Sequence, residues 1–175
     1  SRPKLLLIVV GETIRAQNWG LNGYARQTTP ELAGQDVINF TDVTACGSST
    51  EVSLPCMFSK TGRRDYDARE IKHSESFLHV LQRVGIATLW LDNQTGCKGV
   101  CEGLPFESFL HAHAPAFCNG QRCRDEIMLD GLVEKMDPSA GDRVVVLHQL
   151  GNHGPSYFER YSEAHRKFKP TCDTA

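Results

Sequence analysis

The sequence predicts an α/β domain built on a mostly parallel sheet with helices on both faces. Three observations carry this expectation. Apolar runs of strand length end in polar loops, stripes of helical spacing lie between them, and 175 residues suit one domain that buries roughly 70% of its unfolded surface. Strands alternating with helices imply right-handed crossovers, and such crossovers make neighbouring strands parallel.

The elements follow in order. Leu5 to Val10 is continuous, β-branched at its end and closed by Gly11, which predicts a strand buried on both faces. Because Arg2, Pro3 and Lys4 lead straight into it, the start of the chain is expected to lie at a domain boundary. Thr29 is the expected cap of a short helix with Pro30 at its first position. Residues 37–40 predict a weaker second strand. A helix capped by Ser74 is expected to gather Phe77, Leu78, Leu81 and Val84 on one face before Gly85 ends it. Residues 86–91 and 143–148 repeat the first strand pattern as strands three and four, and 124–136 carries Ile127, Met128, Leu132 and Met136 at helical spacing.

Composition narrows function. With 40% hydrophobic residues and 15 glycines the chain is globular, and a net charge of −2 offers no field to gather nucleic acid, so any phosphate recognition must be local. The longest purely apolar stretch, Leu5 to Val10, is far below the ~20 residues of a membrane span. Cysteines fall as three close pairs, Cys46 and Cys56, Cys97 and Cys101, Cys118 and Cys123, with Cys172 alone. Their intervals do not repeat a zinc-ligand spacing, so three local disulfides in an oxidising compartment are the preferred reading over structural zinc or free thiols. Cys172 is then expected to find its partner in sequence beyond this chain.

Parallel sheets bind ligands at the carboxyl ends of their strands. Four polar loops are expected there: 11–13, 46–50, 92–98 and 151–154. Glu12, one residue past a strand, suits a metal's coordination shell. Ser48, Ser49 and Thr50 bring hydroxyls to a turn tied by a disulfide ahead of a helix-like stretch, where a nucleophile would be supported. Lys98 lies in a small disulfide loop and offers a point charge to a phosphate, and His153 lies between small residues. His148, at a strand end, is expected to pack or hydrogen-bond. His111 and His113 have no clustered ligand. Neither a serine-hydrolase elbow nor a nucleotide-binding P-loop is present.

Taken together, Val9-Val-Gly-Glu12-Thr, Asn22-Gly-Tyr-Ala-Arg26 with Thr29-Pro, Cys46-Gly-Ser-Ser-Thr50 with Ser53-Leu-Pro-Cys56-Met-Phe-Ser59, and Leu147-His-Gln-Leu-Gly-Asn-His153-Gly-Pro resemble the phosphoethanolamine-lipid A transferases, including the mobile colistin resistance enzymes. The resemblance implies an α/β/α sandwich of the alkaline-phosphatase-like type. It implies that residues 1–175 are the N-terminal part of a zinc-dependent catalytic domain at the periplasmic face of the bacterial inner membrane, with the transmembrane domain and the rest of the catalytic domain not in this sequence.

Carried over by position, Glu12 matches a zinc-ligating carboxylate and Thr50 the zinc-bound nucleophile, while Gln94, Lys98 and His153 match positions that line the substrate phosphate. The implied reaction moves phosphoethanolamine from phosphatidylethanolamine to lipid A through a covalent threonine intermediate, giving polymyxin and colistin resistance. A monomer attached to the membrane by its transmembrane domain is expected. The family's Asp-His-Gly zinc motif is not found in this chain, so Glu12 and Thr50 are expected to bind zinc only weakly on their own. Two readings compete: a zinc-dependent phosphatase or sulfatase with water as acceptor, and a catalytically incomplete piece that binds lipid headgroups.

Overall fold

Four strands, β1 (Leu5–Val10), β2 (Ala87–Asp92), β3 (Phe106–Ser108) and β4 (Arg143–His148), form one parallel sheet in the order β1-β4-β2-β3. The structure is a computed structural model describing residues 2–137, 139 and 141–174. Side chains alternate across a strand, so β4 feeds two cores at once. Val144 and Val146 join Trp90, Leu54, Phe58 and Leu78 on one face, whereas Val145 and Leu147 join Leu91, Phe109, Ile127, Met128 and Leu132 on the other. Helices α2 (Thr50–Met57) and α4 (Phe77–Arg83) cover the first face, and the 3-10 helix Asp125–Leu129 with α5 (Leu132–Lys135) covers the second. The three layers are the α/β/α sandwich.

Four expectations are corrected. Residues 37–40 are not a strand. Val37, Ile38 and Phe40 are exposed, and Asn39 fastens the segment as a loop, accepting from Trp19 Nε1 and donating to Asn22 Oδ1. β1 is not buried on both faces either, because it is the sheet's edge strand and Leu5, Leu6, Leu7 and Val9 are exposed. The helix capped from Ser74 starts later: Ser76 caps α4 through a reciprocal box with His79, and its Oγ also donates to Val100 O at 2.6 Å. Only Leu78 and Leu81 of the expected stripe pack, since Phe77 and Val84 are exposed. Finally, 124–136 is two helices, because Gly131 takes a left-handed φ of 64° between them.

Two elements carry no strong sequence signal. β3 is three residues long, and α3 (Ala68–Lys72) is capped by Asp67, which accepts from the N–H groups of Arg69 and Glu70. α1 (Pro30–Ala33) starts after Thr29 as expected, but without a hydroxyl cap bond. Register then aligns the strand ends: His148 of β4 is level with Val10 of β1 and with Asp92 of β2. The loops that follow these three residues therefore leave the sheet side by side.

Candidate functional site

Glu12 leaves β1 two residues past its end and is clamped by the loop after β4. Asn152 N–H donates to Glu12 O at 3.1 Å, and Gly151 presses so closely that an added Cβ would lie 2.9 Å from both the nitrogen and the oxygen of Glu12. The carboxylate spreads over three partners. Its Oε1 accepts from Thr13 Oγ1 at 2.9 Å, and its Oε2 accepts from Thr50 Oγ1 at 2.8 Å and lies 3.4 Å from Gln94 Nε2.

Thr50 is the first residue of α2, as the helix-like stretch after the disulfide turn suggested, although residues 37–40 ahead of it are not a strand. The Cys46–Cys56 disulfide ties the approach of this helix to its last turn, and the carbonyl of Ser49 receives the N–H groups of Val52 and Ser53. Of the three candidate hydroxyls only that of Thr50 reaches Glu12; those of Ser48 and Ser49 form no hydrogen bond among the described residues. The short bond orients the Thr50 oxygen and gives its proton a carboxylate acceptor.

Gln94 follows β2 and owes its position to Asp92. This buried carboxylate accepts from His148 Nδ1 at 2.7 Å, Trp90 Nε1 at 2.9 Å, Gly96 N at 2.8 Å and Gln94 N at 3.2 Å. Burial pushes the Asp92 carboxyl up, but the bonds from His148, Trp90 and Gly96 outweigh it and hold it below the usual carboxylate range. His148 is thus a buried partner of the strand ends, as its place in the sequence suggested.

Lys98 lies in the Cys97–Cys101 loop with a left-handed φ of 53°. Its Nζ reaches Thr95 Oγ1 at 3.0 Å and pairs with Glu51 Oε1 at 3.1 Å, so its charge is already shared. Glu51's own backbone N–H, followed by Lys98, draws the Glu51 carboxyl below its ordinary value. His153 donates Nδ1–H to Gly154 O at 2.7 Å, which leaves Nε2 to other chemistry. Thr50, Gln94, Thr95 and His153 line one cleft of about 350 Å³, while Lys98 lines the neighbouring groove; Glu51 borders both.

Two positioning groups, Asp125 and Arg160, and one cleft residue, Arg122, carry no signal in the sequence. Asp125 Oδ1 accepts from Asn93 Nδ2 and Leu150 N, and its Oδ2 accepts from Gly151 N at 2.8 Å, which pins the very turn that clamps Glu12. Arg160 donates Nε–H to His153 O and an Nη2 proton to Pro155 O. Arg122 lines the Thr50 cleft from the third disulfide loop, Cys118–Cys123. An acid followed by apolar helix residues is an ordinary helix start, so Asp125 gave no signal of its role.

A zinc ion asks for about four ligands. Glu12 and Thr50 offer two oxygens, and among the described residues no three His, Cys, Asp or Glu side chains converge. Six cysteines are consumed in disulfides and Cys172 is exposed. The residues present make half of a zinc site and do not complete one.

The sulfatase family model matches residues 4–175. Phosphoethanolamine transferase EptA of Escherichia coli (strain K12) is 45% identical over 174 residues, 99% of this chain and 32% of that protein. Phosphatidylethanolamine transferase Mcr-1 of Escherichia coli is 46% identical over 180 residues, 98% of this chain and 33% of that protein. The soluble domain of lipooligosaccharide phosphoethanolamine transferase A from Neisseria meningitidis superposes with a TM-score of 0.95 at 48% identity, covering 99% of this chain and 53% of that one. The chain therefore spans about a third of the length of the curated relatives it matches.

Proposed function

This chain belongs to the sulfatase family, with an alkaline-phosphatase-like fold and close similarity to the phosphoethanolamine transferases, and on that footing we propose that it carries the nucleophile of such a transferase. The observation that supports this most is the 2.8 Å bond from Thr50 Oγ1 to Glu12 Oε2 at the strand-end edge. Glu12 takes the Thr50 proton as the oxygen attacks the phosphorus of phosphatidylethanolamine. The phosphorus–oxygen bond to diacylglycerol breaks, diacylglycerol leaves protonated, and phosphoethanolamine stays on Thr50. A phosphate oxygen of lipid A then attacks the same phosphorus, and Thr50 recovers its proton. His153 Nε2 is placed to move protons at the leaving and entering oxygens, Gln94 meets the phosphoryl oxygens in the Thr50 cleft, and Lys98, at its border, would exchange Glu51 for one of them.

Glu12 and Thr50 are proposed as two ligands of a zinc ion that the longer relatives' remaining sequence would help to hold. Zinc bound there would supply Lewis acidity and favour the alkoxide; the steps above use only residues of this chain. Residues 1–175 are accordingly read as the N-terminal part of a periplasmic catalytic domain, monomeric, held to the inner membrane by helices outside this sequence, with polymyxin and colistin resistance as the outcome. Among the described residues no helix is long and apolar enough to cross a membrane.

The rival phosphatase or sulfatase reading shares the covalent step and differs in its acceptor. Phosphatidylethanolamine labelled in its headgroup, given to the full-length enzyme with and without lipid A, separates them. Label on lipid A is expected. Label found only in free phosphoethanolamine would assign a hydrolase.

A further inference from the structure

The cleft beside Thr50 has a wall that the proposed reaction does not use. Arg122 and Arg160 line it. Arg122 is held by a closed turn: its N–H donates to Asn119 Oδ1 at 2.9 Å, its carbonyl accepts from Asn119 N at 3.0 Å, and Cys118 is bonded to Cys123 across the turn. Its Nη1 is out of reach of solvent and has no hydrogen-bond partner among the described residues. That atom is closed to an anion as well as to water, so it is the place of Arg122 in the cleft lining that offers the rest of its fork to a ligand. Arg160 spends Nε and Nη2 on the carbonyls of His153 and Pro155, which fixes its fork and leaves Nη1 uncommitted among the described residues.

Charge points the same way. Neither guanidinium forms an ion pair among the described residues. Lys98, by contrast, is paired with Glu51. Of the carboxylates lining this cleft, Glu51 is paired with Lys98 and Glu159 forms no ion pair among the described residues, while the Glu12 carboxylate bonds Thr50. In the second step an anionic phosphodiester on Thr50 must be approached by an anionic acceptor, and the acceptor needs cations of its own. Arginine forks suit a phosphate better than a lysine point charge does.

We infer that Arg122 and Arg160 form an anion subsite in the Thr50 cleft that takes a phosphate monoester. Its identification with the acceptor phosphate rests on the transferase reading above. Two sources share this chemistry, free phosphate and a sugar phosphate, and the test separates them.

Arginine Nε–H resonances of the 175-residue chain are followed by NMR during titration with inorganic phosphate and, separately, glucosamine 1-phosphate. Both arginine signals should move, and Arg122→Gln should weaken binding about tenfold or more, the worth of a charged hydrogen bond, with partial recovery in Arg122→Lys. A sugar phosphate that binds more tightly than inorganic phosphate supports an ester subsite; equal affinity supports recognition of the phosphate alone. Arginine signals that stay still, or an Arg122→Gln chain that titrates like the parent, overturn the proposal. In full-length enzyme, Arg122→Gln should raise the lipid A concentration for half-maximal rate about tenfold. An equal fall in diacylglycerol release without acceptor contradicts the acceptor role. If the arginines bind phosphate but Thr50 is never modified, the subsite stands and the transferase reading fails; the reverse result removes the subsite alone.

Discussion

Replacing Gly151 by Ala tests the packing that holds the candidate site. Gly151 has a φ of 54°, where a residue with a Cβ loses roughly 1–2 kcal/mol. Its Cβ would also meet Glu12 N and O at 2.9 Å and Glu12 Cβ at 3.0 Å, closer than such contacts allow. Backbone cannot swing away as a flexible side chain can, so an overpacking cost of about 1–3 kcal/mol adds to the first. The sum, about 2–5 kcal/mol, is a large share of the ~5–15 kcal/mol that stabilises an ordinary domain. Gly23→Ala is the control, because Gly23 has a φ of 87° but nothing within 4 Å of its added Cβ, leaving only the conformational cost. Urea denaturation with disulfides intact should rank Gly151→Ala well below Gly23→Ala. Shifting Glu12 should also lower transfer by full-length enzyme by up to about a hundredfold. Equal denaturation midpoints for the two variants would refute the claim that Gly151 and Glu12 are packed rigidly.

Asp92→Asn removes a buried carboxylate that accepts hydrogen bonds from His148, Trp90, Gly96 and Gln94 and should cost about 1–3 kcal/mol near neutral pH by denaturant titration. Because the folded Asp92 carboxyl lies below its unfolded value near 3.9, its contribution is full above about pH 4 and is lost as pH falls through the folded value. The gap between parent and Asp92→Asn should therefore narrow in acid, and a gap that widens contradicts the assignment. Ser76→Ala removes the α4 cap and the bond to Val100 O; a thermal scan should show a loss of about 1 kcal/mol or slightly more, whereas no loss would mean water replaces both bonds. Zinc titration of the 175-residue chain should reveal no tight stoichiometric site, and a tight site that survives Glu12→Gln would relocate the metal to groups now regarded as structural.

Much of the architecture was legible because burial writes itself into strands such as 143–148, whose residues serve two cores. Edges were less so. Leu5–Val10 has the apolar density of a central strand yet lies at the sheet's rim, and composition cannot tell which neighbour a strand lacks. Residues 37–40 have strand-forming side chains but no ladder partner, and the side-chain bonds of Asn39 decide their conformation. Within the site, the proximity of Glu12 and Thr50 and a helix opening at Thr50 were both expected, but the strand thought to lead to Thr50, residues 37–40, is a loop. Asp125 and Arg160 act by gripping backbone carbonyls and N–H groups distant in sequence, and such bonds leave no pattern in the chain.

Thr50 is the proposed acceptor of the phosphoryl group. Full-length enzyme mixed with phosphatidylethanolamine in the absence of lipid A, quenched in acid and digested, should give one modified peptide by mass spectrometry. Fragmentation should place phosphoethanolamine on Thr50, and Thr50→Ala should lose the adduct while keeping its fold by circular dichroism. An adduct on Ser48 or Ser49, or an adduct that persists in Thr50→Ala, would rule Thr50 out as the nucleophile.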